Sequence, residues 1–296
     1  MHGSRRFCLA IALACSALVA SGCSNLGAVR EFAASSARMT DYRAATEHYL
    51  DSADRQLTEL PAAERFDGTR EQLKALKQVT ARDKATLLKL HATTTGYMRA
   101  LARLAGADAY SVSSEIGKVA RAIETSEALG IDEDHVDAYA NIARRVSDWA
   151  LAARQARDVR HLVTGNGADM DKLLEAMQRA TEAYGIVLEQ EIAAYDAMAD
   201  YRRAVWAAEL PGDPALTPER REVIATLLRR SELADREAQR QARKAQRAAA
   251  RGLERVRQAH ADMLRNVDRL DTDQVQDLLR AAADDLKSIR ASIEDL

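Results

Sequence analysis

Twelve positions in alternating steps of three and four residues, from Met170 to Ala208, hold eleven apolar or aromatic side chains and a single exception, Glu191. Only a helix brings such spacing back to one face, and a seam kept for so many turns needs another helix to bury it. A second seam runs through Leu73, Leu76, Thr80, Asp83, Leu87, Leu90, Thr94, Tyr97, Leu101 and Leu104, with Thr80, Asp83 and Thr94 as polar members that set register. Turn formers are scarce to match: 13 glycines and 4 prolines in 296 residues, about 6% where an average chain carries roughly 12%. That shortage excludes a β-sandwich, a propeller or a collagenous chain, and leaves an all-α fold.

The breaks fall at Leu60-Pro61, Gly106 to Ser113, Gly130-Ile131, Thr164 to Ala168, Leu210 to Thr217 and Asp271-Thr272. They predict helical stretches over Leu26–Leu60, Thr69–Ala105, Ser114–Leu129, Asp132–Val163, Asp169–Leu210, Thr217–Leu270 and a last one opened by Thr272. Gly165 and Gly167 read as a helix C-terminal loop, and Thr217-Pro218 as an N-cap followed by proline at the first helical position. Several stretches would span ~45 to 60 Å or longer. Short connections between long helices imply an elongated antiparallel bundle with coiled-coil-like helices, one unit over residues 23–296.

The leader has its own logic. Arg5 and Arg6 precede an apolar run from Phe7 to Ala20, of secretory length and short of the ~20 residues that cross a bilayer. It ends in Leu18-Val19-Ala20-Ser21-Gly22-Cys23, which resembles the lipobox of bacterial lipoproteins, although Ala20 stands where that motif more often has leucine. The resemblance covers the leader only. It implies removal of residues 1–22, lipidation of Cys23 and, with Ser24 next, delivery to the outer membrane with the body facing the periplasm. All three cysteines, Cys8, Cys15 and Cys23, lie in this segment, so the body can form no disulfide or thiolate metal site within one chain.

Catalytic patterns are missing. The histidines, His2, His48, His91, His135, His161 and His260, include no pair at four-residue spacing. The nearest to a di-iron motif, Asp132-x-x-His135 and Asp158-x-x-His161, lie about 26 residues and ~39 Å apart on one expected helix. No phosphate loop, nucleophile elbow or dinucleotide fingerprint occurs. No cofactor or metal is expected.

The distinctive charged feature is Arg236 to Arg257, where eight basic residues meet only Glu237 and Glu254. Arg236, Arg240, Arg243, Arg247, Arg251 and Arg255 fall on one stripe of a helix, either a surface for an anionic lipid or acidic protein or a solvated face paired with neighbouring acids. Nucleic acid fits poorly, because the stripe carries no aromatic residue. Beside it runs a thin seam of Ser231, Ala234, Ala238, Ala245, Ala249 and Gly252, which buries little area and marks this helix either for mobility or binding or as an ordinary alanine-rich coil. Thr93-Thr94-Thr95-Gly96 and Gly185 interrupt helices at sites of either close packing or a small pocket; Trp149 and Trp206 are packing residues or partner anchors.

The sequence therefore predicts an outer-membrane-anchored lipoprotein with a scaffolding or adaptor role and an envelope protein or anionic lipid as partner. The alternative is a carrier of a small apolar ligand, marked by an interior pocket of ~300 Å³ or more. An envelope enzyme built on scattered carboxylates is the third reading.

Overall fold

The computed structural model describes residues 26–40, 43–106, 122–151, 156–209 and 216–294; Cys8, Cys15, Cys23 and the rest of the leader lie outside them. The described chain forms α1 (Gly27–Thr40), α2 (Ala44–Leu50), α3 (Ser52–Glu59), α4 (Asp67–Leu104), α5 (Glu133–Leu151), α6 (Ala156–Glu209), α7 (Pro218–Arg265) and α8 (Asp273–Glu294). Short 3-10 turns occupy Glu64–Phe66, Glu127–Leu129 and Val267–Arg269. No named strand occurs among the described residues, so the all-α expectation holds. With 54 residues in α6 and 48 in α7, these two helices run for roughly 80 and 70 Å.

Helix α1 sits at the centre. Its alanines and serines are buried on most sides, and Val29 and Phe32 are fully enclosed, so the run from Ala33 to Ala37 is tightly packed helix with no fraying. Small side chains there let α4, α7 and α8 approach together. Met39 reaches Gly252 of α7, where an added Cβ would stand 2.4 Å from the Met39 terminal methyl. In α4 every member of the expected seam is buried except the half-buried Leu76, and the helix runs unbroken through Thr93–Gly96. Thr95 meets Thr40 hydroxyl to hydroxyl at 3.1 Å.

Several expected boundaries need correction. Leu26–Leu60 is not one helix: α2 ends at Leu50 and α3 starts at Ser52, hinged on Asp51. Ser114–Leu129 is not α-helical over its described part, which holds only the 3-10 turn at Glu127–Leu129. Ser126 is extended, Gly130 has φ +64°, and paired hydrogen bonds of 2.9 Å between Ser126 and Ile131 close the turn. Only glycine takes that left-handed backbone cheaply.

The loop expected at Thr164–Ala168 lies inside α6. Helices α5 and α6 run antiparallel, as the pairs Arg145 with Asn166, Lys172 with Asp134 and Arg179 with Asp132 show. Each helical glycine costs about 1 kcal/mol of propensity, which one uninterrupted buried face through Val159, Leu162, Val163, Met170 and Leu173 offsets. Gly167 also admits Leu264 of α7, 2.8 Å from where its Cβ would be.

Helices α6 and α7 lie antiparallel along most of their length, linked by Asp171–Arg257, Glu189–Arg243 and Glu232–Arg203. Thr217 caps α7 through its hydroxyl, which accepts from the Arg220 amide, and Pro218 follows it. Helix α7 stops at Arg265, short of the expected Leu270. At the start of α8 the Thr272 hydroxyl donates to the Arg269 carbonyl.

Buried side chains in α7 begin only at Ala248. Its first thirty residues thus leave the main core and, with the end of α6, form a two-helix arm braced by α3 through Arg202–Glu59 and by Phe66 edge-on to Tyr201.

Candidate functional site

At the root of this arm a cleft of about 460 Å³ lies between the α2–α3 elbow, α6 and α7. Three local causes open it. The break at Asp51 turns α3 away from α2. Helix α7 presents Ala238, Ala242 and Ala245, spaced four and three residues apart, as a wall too short to fill the gap. Gly185 lets Gln246 lie across α6, 2.8 Å from where a Cβ would be, and donate to the Thr181 carbonyl at 2.9 Å.

Most of the lining is apolar. Tyr49 of α2 and Tyr184 of α6 stack with ring centroids 4.6 Å apart, and Val187, Leu188 and Ala45 continue the surface. The Tyr184 hydroxyl accepts from Thr46, whose oxygen also meets His91 Nε2 at 2.8 Å; His91 Nδ1 faces the Thr40 carbonyl at 2.7 Å. Both tyrosine phenols are pushed up by burial, Tyr49 to about 12.

The polar side of the cleft is built around Glu191. Its side chain is 7% exposed and takes two bonds from Arg55, Nε at 2.7 Å and Nη2 at 2.9 Å. Arg55 also donates to the His48 carbonyl at 2.7 Å, which ties α3 back to α2. A bidentate pair of this kind satisfies the carboxylate where water is largely excluded. His48 Nε2 lies 3.8 Å from Glu191. Burial and the Arg55 guanidinium hold the His48 pKa below its ordinary value, so the ring is neutral at pH 7.

Three enclosed atoms of residues around the cleft, each with almost no accessible surface, have no hydrogen-bond partner among the described residues: His48 Nε2, Ser52 Oγ and Gln241 Oε1. Ser52 is wholly buried. Gln241 donates its amide N–H to Glu237 Oε1 at 2.6 Å, so its carbonyl oxygen is the end left over. Each buried polar atom without a partner costs about 1–3 kcal/mol.

The expected arginine stripe divides. Arg243 makes a bidentate pair with Glu189, Arg255 pairs with Asp285 at 2.9 Å, and Arg240 pairs with Glu237 one turn back. Arg236, Arg247 and Arg251 are exposed and form no ion pair among the described residues, although Arg247 helps hold the Glu189 pKa down. The stripe does not line the cleft; the small-residue seam beside it does, through Ala238 and Ala245.

Of the site itself, Glu191 stood out in the sequence as the one charged member of its seam. His48, Ser52, Arg55 and Gln241 carried no such signal, because the elbow that brings them together was hidden in an apparently continuous helix. His91, His135 and His260 are buried, His161 is exposed, and Trp206 is half-buried; the side chain of Trp149 lies outside the described residues. Asp132 and His135 contact one another, with Oδ1 and Nδ1 2.5 Å apart. A smaller cleft of about 240 Å³ lies further along the arm, between Phe66, Leu73, Tyr195 and Met198. Among the described residues no set of three or more His, Cys, Asp or Glu side chains could hold a metal ion, and no helix is long and apolar enough to cross a membrane.

No known protein family, curated protein or solved structure matches this chain.

Proposed function

We propose that the chain is a lipoprotein tethered to the outer membrane through acyl chains on Cys23, facing the periplasm, whose helical bundle holds one small amphipathic molecule in the cleft at the root of the arm. The observation that carries this reading is a mostly apolar cleft of about 460 Å³ with the Arg55–Glu191 pair on its polar side. A volume in the range of small-molecule sites, mostly apolar walls and a few polar groups are the features such sites share. The function is retention and not turnover: both oxygens of Glu191 are held by Arg55, leaving no free carboxylate base.

The test fills the cleft. A neutral environment-sensitive dye is expected to bind the purified protein at one site, and Ala245→Trp is expected to abolish that binding with unchanged helicity. Dye binding that survives Ala245→Trp would refute the reading. The tether is tested apart from it: Cys23→Ala is expected to lose metabolic palmitate labelling, and unchanged labelling would refute the anchor.

One observation supports a scaffolding role alongside it. The arm exposes Val223, Leu227 and Leu233, each about 60% accessible, close in sequence to the exposed Arg236. Such a surface suits an envelope protein with acidic residues around an apolar contact. Changing Arg236, Arg247 and Arg251 to Glu is expected to remove specific partners from cross-linked envelopes; identical partner sets would reduce the stripe to a solvated face.

A further inference from the structure

We infer that the molecule held in the cleft carries one unbranched hydrocarbon tail, which leaves the cleft along the outer face of α7, past Ala234 and toward Leu227. This rests on the cleft being a binding site, and it adds the shape of what binds.

Helical spacing comes first. Val223, Leu227, Ser231, Ala234, Ala238, Gln241 and Ala245 follow one another in steps of three and four, so they share one stripe of α7. No member is charged. The stripe is about 33 Å long, and Ala238, Gln241 and Ala245 at its inner end wall the cleft. Beyond the cleft, Ser231 and Ala234 are exposed, and Val223 and Leu227 are each 59% exposed. The apolar wall therefore does not stop where the cleft does; it continues into the open.

The opposite end of the same stripe shows what such a surface accepts. Past Ala245 it runs on through Ala249 and Gly252, both buried. There Met39 of α1 lies against Gly252, so close that a Cβ would collide with its sulfur and terminal methyl. The side chain filling that position is unbranched and flexible. Along one continuous face the protein thus lays a linear apolar filler of its own at the covered end, leaves a cleft next to it, and leaves the remainder bare.

Width excludes bulkier guests. Arg230 and Glu237 edge the stripe on one side and Asp235 on the other, so it is one side chain wide. Between Leu227 and the cleft it carries only Ser231 and Ala234, whose short side chains give a second helix nothing to interlock with. A fused ring system would overhang so narrow a track onto charged neighbours. A hydrocarbon chain fits it, gains with each methylene laid down, and has no polar group to desolvate.

The test varies the tail and keeps the head. 1-Octanol, 1-decanol, 1-dodecanol and 1-tetradecanol are titrated against the full purified protein, each displacing the neutral dye. Octanol, roughly 9 Å long, lies within the cleft, which runs ~10 Å along α7 from Ala245 to Ala238. Tetradecanol, roughly 16 Å long, reaches Ala234. A methylene wholly removed from water gains about four-fold in affinity, and one covered on a single side about two-fold. Tetradecanol is therefore expected to bind about fifty-fold more tightly than octanol. Ala234→Glu and Ala234→Arg place opposite charges on the stripe at an exposed position, in residues that favour helix. Both are expected to leave octanol binding unchanged and to cut the gain to about ten-fold or less; should one lose helicity, the other carries the test. Affinity that levels off at octanol, or a gain that the variants leave intact, would overturn the tail assignment while leaving the cleft a binding site for a compact guest. Failure of every alcohol to bind would overturn the cleft reading as well.

Discussion

Two buried polar contacts, set beside one on the surface, show how differently single residues contribute. Arg243–Glu189 lies on the surface and contributes about 0.2–1 kcal/mol. Arg55–Glu191 is enclosed on the carboxylate side, so removing the cation leaves a buried charge. Arg55→Met is expected to destabilise the protein by roughly 3 kcal/mol or more, and pairing it with Glu191→Met to recover most of that loss, measured by denaturant unfolding. Equal destabilisation by the single and double variants would contradict the enclosed-pair account. The second contact is His260, buried completely and 3.0 Å from the Tyr97 hydroxyl. Burial lowers its pKa from 6.5 to about 4. The unfolded chain therefore binds the proton more readily. Stability is complete above about pH 6.5 and falls as pH drops toward 4, by roughly 3 kcal/mol over that window. His260→Gln is expected to flatten this dependence in unfolding titrations, whatever it costs at pH 7. An unchanged slope would mean that His260 takes up its proton equally in both states.

The elements owe their courses to close approach as much as to propensity. Gly252 and Gly68 both lie in helices, yet a Cβ at Gly252 collides with Met39 whereas one at Gly68 meets nothing within 4 Å. Alanine at Gly68 is expected to raise the melting temperature through better helix propensity, and alanine at Gly252 to lower it through overpacking, a difference of about 1–3 kcal/mol. A rise in both would mean that Met39 yields freely. The same contrast explains which features could be read in advance. Heptad seams in α4 and α6 and the Thr217-Pro218 cap are local signals, and the helices follow them. Gly165 and Gly167 looked like loop residues, and the worth of Gly167 lies in Leu264, about a hundred positions away. The α2–α3 elbow had no glycine or proline to announce it, so the cleft residues it gathers stayed scattered in the sequence. The alanine seam was visible, but its role as a cleft wall depends on what faces it.

At the scale of the molecule, two helices of roughly 70 to 80 Å make the protein far longer than it is wide. A compact chain of this length would have a radius of gyration of about 19 Å; small-angle scattering is expected to exceed that clearly, and a value near it would contradict the extended arm. The arm carries little core of its own. Its attachment through α3 and the Arg55–Glu191 pair places the cleft at the junction between a well-packed body and a sparsely packed extension. Shape and site thus arise together: the alanines that fail to bury α7 along the arm are those that leave room for a guest. The most direct measurement is native mass spectrometry of the protein purified from the cells that make it, compared with Ala245→Trp. The account predicts one bound neutral molecule of a few hundred daltons on the unaltered chain and none on the variant. Equal masses of bound material on both, or none on either, would contradict it.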